Sequence, residues 1–209
     1  MPRKVDAMKI LVIGATGTIG QAVVAALSQR HQVVSASRHT APLRVDITDA
    51  GSLRALYDAV GPVDGVVCAS GAARFKPLPQ LTDDDFVFGM HNKLMGQVNV
   101  VREGLDRVGE DGVIVVTSGI LSRSPAPGGS AISLVNGGLE AFVRAAALEA
   151  PRRVRVNVVS PPWVSETLTK LGRDPQGGLP ASTVALAYVR AVEGTMTGQV
   201  LEPSASPGH

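Results

Sequence analysis

Lys9-Ile10-Leu11-Val12-Ile13-Gly14-Ala15-Thr16-Gly17-Thr18-Ile19-Gly20-Gln21-Ala22-Val23-Val24-Ala25-Ala26-Leu27 sets the reading of the rest of the chain. Lys9–Ile13 is a short apolar run of the kind buried in a parallel strand, and Gln21–Leu27 opens an apolar helix. Between them Gly14, Gly17 and Gly20 stand at i, i+3 and i+6. Side chains in such a turn would obstruct a pyrophosphate, while the following helix offers unpaired N–H groups and its positive dipole end. Glycine spacing alone is a weak signal. Set between a strand and a helix, it predicts an anion-binding turn in an open α/β sheet.

The alternation continues along the chain. Gln32–Ala36, a short segment near Leu43–Val45, Val63–Ala69, Val113–Ser118, Val154–Val159 and Thr197–Leu201 read as strands. Helices are predicted from about Ser52 to Val60, capped by Asp49 or Ser52, and from Thr82 to Arg107, with Asp83, Asp84 and Asp85 at the positive end. Two more are predicted over Ala131–Ala150 and Ser182–Val192. Right-handed crossovers then give a doubly wound parallel sheet of the Rossmann type with helices on both faces.

The chain has 209 residues, 44% hydrophobic and 18% charged, which suits one globular unit with a sizeable core. A net charge of +2 gives no argument for a nucleic-acid partner or a membrane surface. Cys68 is the single cysteine, so no intrachain disulfide or cysteine metal cluster can form, and its place at a strand end makes it a small buried hydrophobe. Residues 1–8 are expected to be an extension, 9–203 one domain and 204–209 a flexible tail. The first apolar run is too brief for a signal-peptide core, and no stretch is expected to approach the ~20 residues that cross a bilayer. A cytoplasmic location is expected.

From Lys9 to Pro203 the order of landmarks resembles the short-chain dehydrogenase/reductase family. Gly14, Gly17 and Gly20 match its nucleotide loop, in the version commoner in its extended and atypical branches. Asp46 stands where members place a carboxylate near the adenine, and Ala69-Ser70-Gly71 where most have Asn-Ala-Gly. Asn157–Pro161 is similar to the strand entering the loop over the nicotinamide, with Pro162 replacing the usual glycine. Thr197-Gly198-Gln199 resembles the entry to the last strand. The resemblance implies a nicotinamide dinucleotide held by Gly14, Thr16, Gly17, Thr18, Ile19, Gly20, Ser37, Arg38, His39, Asp46, Ile47, Ala69, Ser70, Gly71, Lys93, Pro161 and Val164. An acid after the second strand would bind ribose hydroxyls, whereas Ser37-Arg38-His39 offers a cation and hydroxyl donors to a 2′-phosphate. NADP(H) is therefore expected over NAD(H).

The catalytic positions depart from the family. Members carry a serine after the fifth strand and Tyr-x-x-x-Lys on the next helix, and the tyrosine exchanges the proton. Here Gly119 takes the serine position with Ser118 one residue early, Ile132 the tyrosine position and Asn136 the lysine position. Tyr57 and Tyr188, the only tyrosines, lie far from that helix in sequence. Lys93-Leu94-Met95-Gly96 fills the frame in which members have an asparagine, so a lysine replaces asparagine where asparagine replaces lysine. Asn92 takes that place if the register slips by one. The catalytic candidates are Lys93, Ser118 and Asn136; the plain alternative for Lys93 is a solvated helix lysine. Ser122, Arg123 and Ser124 are loop polar groups that could meet substrate, and Trp163 a wall of the pocket or a packing residue.

The leading expectation is an NADP(H)-dependent oxidoreductase acting on a small carbonyl or alcohol through an atypical site. The alternative is an inactive NADP(H)-binding sensor or oligomer partner, and a third reading is an isomerase or dehydratase. No metal is expected. A homodimer or homotetramer is expected through Ala131–Ala150 and the helix near Lys93, where Gly137, Gly138, Ala141, Ala145 and Ala146 allow close approach.

Overall fold

The computed structural model describes residues 6–204; residues 1–5 and 205–209, most of the expected extension and tail, lie outside the described residues. Among the described residues, seven parallel strands run β1 (Lys9–Ile13), β2 (Gln32–Ser37), β3 (Leu43–Arg44), β4 (Val63–Cys68), β5 (Val108–Thr117), β6 (Arg155–Val159) and β7 (Val200–Leu201). They lie side by side as β3-β2-β1-β4-β5-β6-β7, so the order reverses between β1 and β4. A crevice opens at the carboxyl ends of the strands at such a reversal.

The strands are apolar on both faces because both are covered. In β1, Leu11 and Ile13 join one core while Ile10 and Val12 join the other; Ile114 and Val116 of β5 divide from Val113 and Val115 in the same way. The first core is closed by α2 (Ala50–Val60), α4 (Gly96–Gly104) and α5 (Ser130–Glu149), the second by α1 (Thr18–Leu27) and α7 (Ala181–Glu193).

The two tyrosines are core residues. Tyr57 donates to the Val100 carbonyl at 2.8 Å, and Tyr188 shares a 2.7 Å hydrogen bond with the Thr117 hydroxyl. Burial pushes both phenols well above their ordinary range.

Three expectations need correction. The segment expected as one helix from Thr82 to Arg107 is α3 (Asp83–Gly89), a π-helical turn over Met90–Met95, and α4. Thr82 starts it with a capping box, its hydroxyl accepting from Asp85 N while the Asp85 carboxylate accepts from Thr82 N. Strand β5 begins at Val108, five residues before the expected Val113, with a register shift between Val63 and Gly65 of β4. Finally, α5 has 20 residues and a mean hydropathy of 1.3 over its most apolar window, so by length and composition it could cross a bilayer. Its place in this fold is against the sheet, with Asn136 and Glu140 buried on its inner face.

Candidate active site

At the β1 end the crevice is lined by backbone. Gly14 has φ +83°, and a Cβ on it would lie 2.7 Å from the Ala69 carbonyl oxygen. Its N–H donates to the Ala36 carbonyl at 2.9 Å, which ties the turn to β2. A Cβ on Gly20 would lie 1.9 Å from the Gly14 carbonyl oxygen, so α1 rests directly on the turn. Gly17 differs: it is exposed, and the nearest atom to its Cβ position is 3.4 Å away. It caps α1 without a side-chain hydrogen bond, and no acid follows in the first turn. A bare, uncapped helix start beside an open glycine fits a pyrophosphate.

Next to this cradle the Ser37 hydroxyl turns inward and accepts from Thr40 N at 3.2 Å and Ala41 N at 2.8 Å. Expected as a hydroxyl donor to a 2′-phosphate, Ser37 is buried at 5% exposure and holds the turn after β2. Arg38 and His39 are exposed. Arg38 donates to the Asp46 carboxylate at 2.9 Å, and the same oxygen accepts from Thr48 N and Oγ1 at 3.0 and 2.7 Å. Burial works to raise the Asp46 carboxyl, but the Thr48 bonds and Arg38 together hold it below the ordinary range. Ile47, expected at the cofactor, is instead 3% exposed and part of the core. It fills the space beside Gly96, where a Cβ would meet its Cδ1 at 2.8 Å.

The β4 end joins the cradle to the other half. Ala69 N donates to the Ile13 carbonyl at 2.9 Å, and Gly71, with φ +127°, lies so close to Lys93 that a Cβ would meet Lys93 Cα at 3.0 Å. Ser70 is half-buried between them. The neighbours Asn92 and Lys93 part here. Asn92 Oδ1 accepts from Ala72 N at 2.9 Å and ties down the loop after β4, while Lys93 turns into the crevice.

There Lys93, Ser118, Gly119 and Asn136 line a cavity of about 170 Å³, walled by Ile19, Ile132, Pro161, Pro162, Trp163 and Val164. The Lys93 ammonium donates to the Ser118 carbonyl at 2.9 Å. Burial pulls it from 10.5 to about 8, with the Glu140 carboxylate opposing. Asn136 donates through Nδ2 to the Gly119 carbonyl at 3.1 Å, and its buried Oδ1 has no partner. A buried acceptor left unpaired costs about 1–3 kcal/mol, so this atom fits a ligand O–H or N–H. Ile132, which the sequence resemblance sets against the family tyrosine, presents only hydrocarbon to the cavity.

Ser118, named from the sequence as a catalytic stand-in, gives the site its carbonyl and not its hydroxyl. The hydroxyl donates at 2.9 Å to Glu140 Oε1, which also accepts from Ser122 Oγ at 2.8 Å and Ser160 Oγ at 3.1 Å. Arg123 completes the cluster at 3.0 Å from Oε2 and bridges to Glu202 at 3.0 Å. Ser122 and Arg123 therefore turn to Glu140 and are not part of the cavity lining. Glu140 is 3% exposed, and the sequence reading missed it. The available signal was an acid four residues after Asn136, on the same face of an apolar helix.

The cavity residue Trp163 meets Phe75 edge to face at 5.8 Å, with the Arg173 guanidinium 5.5 Å from the Phe75 ring and 5.7 Å from the Trp163 ring. Trp163 thus both walls the pocket and packs.

A family model described as enoyl-(acyl carrier protein) reductase matches residues 14–197. The chain belongs to the short-chain dehydrogenase/reductase family. Among solved structures of this fold, the protein lin1944 of Listeria innocua is 39% identical with a TM-score of 0.90, covering 94% of this chain and 99% of that one. A small-chain dehydrogenase in complex with NADPH is 26% identical with a TM-score of 0.82, covering 94% and 96%. The 3-oxoacyl-[acyl-carrier-protein] reductase of Rattus norvegicus is 29% identical over 133 residues, which span 61% of this chain and 56% of that relative. Gly119, Ile132 and Asn136, which the sequence resemblance sets against the family's serine, tyrosine and lysine, all line the cavity.

Proposed function

We propose that the protein is an NADP(H)-dependent oxidoreductase that interconverts a small carbonyl compound and its alcohol, with Lys93 handling the proton. The observation that carries this reading is the Lys93 ammonium, brought into the cavity from the helix opposite the usual one and drawn down to about 8. A proton donor works best when its pKa lies near the working pH, and about 8 is close enough. NADP(H) would supply the hydride chemistry when bound. The NADPH carried by a related structure and the exposed Arg38 support the choice of cofactor. The Arg38–Asp46 pair is on the surface and so weakly held, which leaves the guanidinium free to turn to a 2′-phosphate.

The protein's own groups have distinct tasks. The first turn of α1 would receive the pyrophosphate, and Arg38 the 2′-phosphate. Asn136 Oδ1 accepts a hydroxyl or amide hydrogen at the cavity floor. Lys93 uses one N–H on the Ser118 carbonyl and directs the others to the substrate oxygen, giving up a proton that solvent restores. Ile132, Val164 and Trp163 exclude water. Titrating the protein with NADPH and NADH, then assaying a panel of carbonyl substrates, tests this. Tighter NADPH binding and turnover that is lost in Lys93→Met are expected; equal binding of both cofactors would refute the cofactor choice.

Ile132, Gly119 and the commitment of the Ser118 hydroxyl to Glu140 favour one second reading, a cofactor-binding sensor without turnover. Tight NADPH binding with no oxidation across the panel would establish it. We also propose a homo-oligomer through α3–α5, where Val87, Met95, Leu134 and Leu148 are exposed. Gly138 is already occupied by Leu94 of the same chain, 3.2 Å from its Cβ position, so the contact rests on neighbours such as Gly137, which is open. Light scattering that reports monomer at micromolar concentration would refute this.

A further inference from the structure

The segment between β6 and α7 closes on its own base. Ser165 N donates to the Leu179 carbonyl at 2.9 Å, Leu179 N to the Trp163 carbonyl at 2.8 Å, and the Glu166 carboxylate accepts from Ala181 N at 3.0 and 3.1 Å. Val164 and Leu168, each 5% exposed, seat its inner side. The short helix α6 (Ser165–Lys170) projects from that base toward the opposite wall of the crevice. Its last residue crosses the opening, and the Lys170 ammonium donates to Thr18 Oγ1 at 2.8 Å. Thr18 is the first residue of α1, directly after the open Gly17.

This contact is electrostatically incomplete. A cation stands at the positive end of a helix dipole, where cations are disfavoured. Among the described residues no carboxylate pairs with Lys170, and the first turn of α1 contains no acid. The only acid in α6 is engaged at Ala181 N. Two positive ends that meet through a neutral hydroxyl are satisfied together by one anion between them.

We infer that Lys170 is a pyrophosphate-binding residue: its ammonium leaves the Thr18 hydroxyl for the pyrophosphate of the bound dinucleotide and latches α6 across the cradle. This rests on the proposed nicotinamide dinucleotide cofactor and adds a contact from the far side of the crevice. It also separates Lys170 from Arg38, because NADH and NADPH share the pyrophosphate and only NADPH carries the 2′-phosphate.

The experiment measures dissociation constants of NADPH and NADH by fluorescence titration for the parent, Lys170→Met, Lys170→Arg and Arg38→Ala. Apo melting temperatures serve as the control for folding. Loss of one exposed charge-assisted hydrogen bond should weaken both cofactors by about tenfold in Lys170→Met, and by the same factor. Lys170→Arg should stay within about twofold of the parent, because the guanidinium also pairs with phosphate. Parent-like affinity of Lys170→Met for both cofactors overturns the inference, and a lowered apo melting temperature then assigns Lys170 a structural tether. Weakening of NADPH alone overturns it too, by placing Lys170 at the 2′-phosphate. A parent protein that binds neither cofactor refutes the cofactor reading itself.

Discussion

At the β1 end of the crevice the binding surface is backbone: a glycine turn, an uncapped helix start, and close approaches that exclude a Cβ at Gly14 and Gly20. At the β5 end it is side chain: Lys93 and Asn136 donate to the successive carbonyls of Ser118 and Gly119, with Glu140 behind them gathering three hydroxyls and a guanidinium. A backbone surface depends on what residues lack, and it binds the part of a cofactor common to all its users. A side-chain surface depends on what residues carry, so it can be rebuilt by exchanging a few groups while the other end stays as it was. That is how a family nucleotide turn coexists here with a cavity holding no tyrosine.

The comparison breaks most visibly at Glu140. Glu140→Ala leaves Arg123 and three serine hydroxyls without their shared acceptor, and removing one partner of a buried charge pair costs about 3 kcal/mol. Urea unfolding should show this loss, with NADPH affinity falling less than stability because the cradle is remote. A cofactor site lost in step with stability would mean that the two ends are not separable.

Lys93→Met should abolish most turnover, or most cofactor affinity if Lys93 holds the ribose, while the fold survives on the retained stem. Its pH behaviour sharpens the point. The folded state releases the Lys93 proton near 8, whereas the ordinary value is 10.5, so between those values the unfolded chain holds the extra proton. This group's contribution to stability therefore rises with pH across that window. Carbonyl reduction should fall as pH passes about 8. Both effects should vanish in Lys93→Met, and a parent-like pH profile in that variant would return Lys93 to an ordinary helix lysine.

At the backbone end, Arg38→Ala should weaken NADPH by about 1.5–3 kcal/mol and leave NADH nearly unchanged, as read by parallel titrations. The smallest effect is expected at Tyr57. Tyr57→Phe removes the bond to the Val100 carbonyl and should cost about 1 kcal/mol of stability, with both cofactor affinities unaltered. A changed affinity would show that the core behind α4 communicates with the site.

The same contrast explains what could be read from residues alone. The cradle was legible because its three glycines, strand and helix are contiguous, and the sheet because its strands are apolar on both faces. Lys93 was legible through its spacing from Gly96, though nothing in the local sequence marks the widened turn that aims it. Ser118 was misjudged because which way a side chain turns at a strand end depends on its neighbour, here a buried carboxylate 22 residues away. Ile47 was misjudged because Asp46 beside it turns to Arg38 at the surface while Ile47 turns into the core under Gly96. The Glu140 cluster draws on residues from three segments, and no spacing rule connects them. Helix α6 is too short and too closely flanked by proline and glycine to leave a periodic trace.

The π-helical turn at Met90–Met95 changes how many residues the chain counts between two fixed faces. In an α-helix each residue advances by about 100°, so an added residue would ordinarily rotate everything beyond it out of register. Here Gly96 N reaches back to the His91 carbonyl and the wider turn takes up the surplus, while Gly89 at the end of α3 lies against Val135 and α4 keeps Val100 and Val101 in the core. What the crevice meets is then decided locally: Lys93 faces inward and Asn92 is turned to the Ala72 backbone. The helix acts as an indexing device, able to present a different chemical group at one point while both of its ends stay where the core needs them.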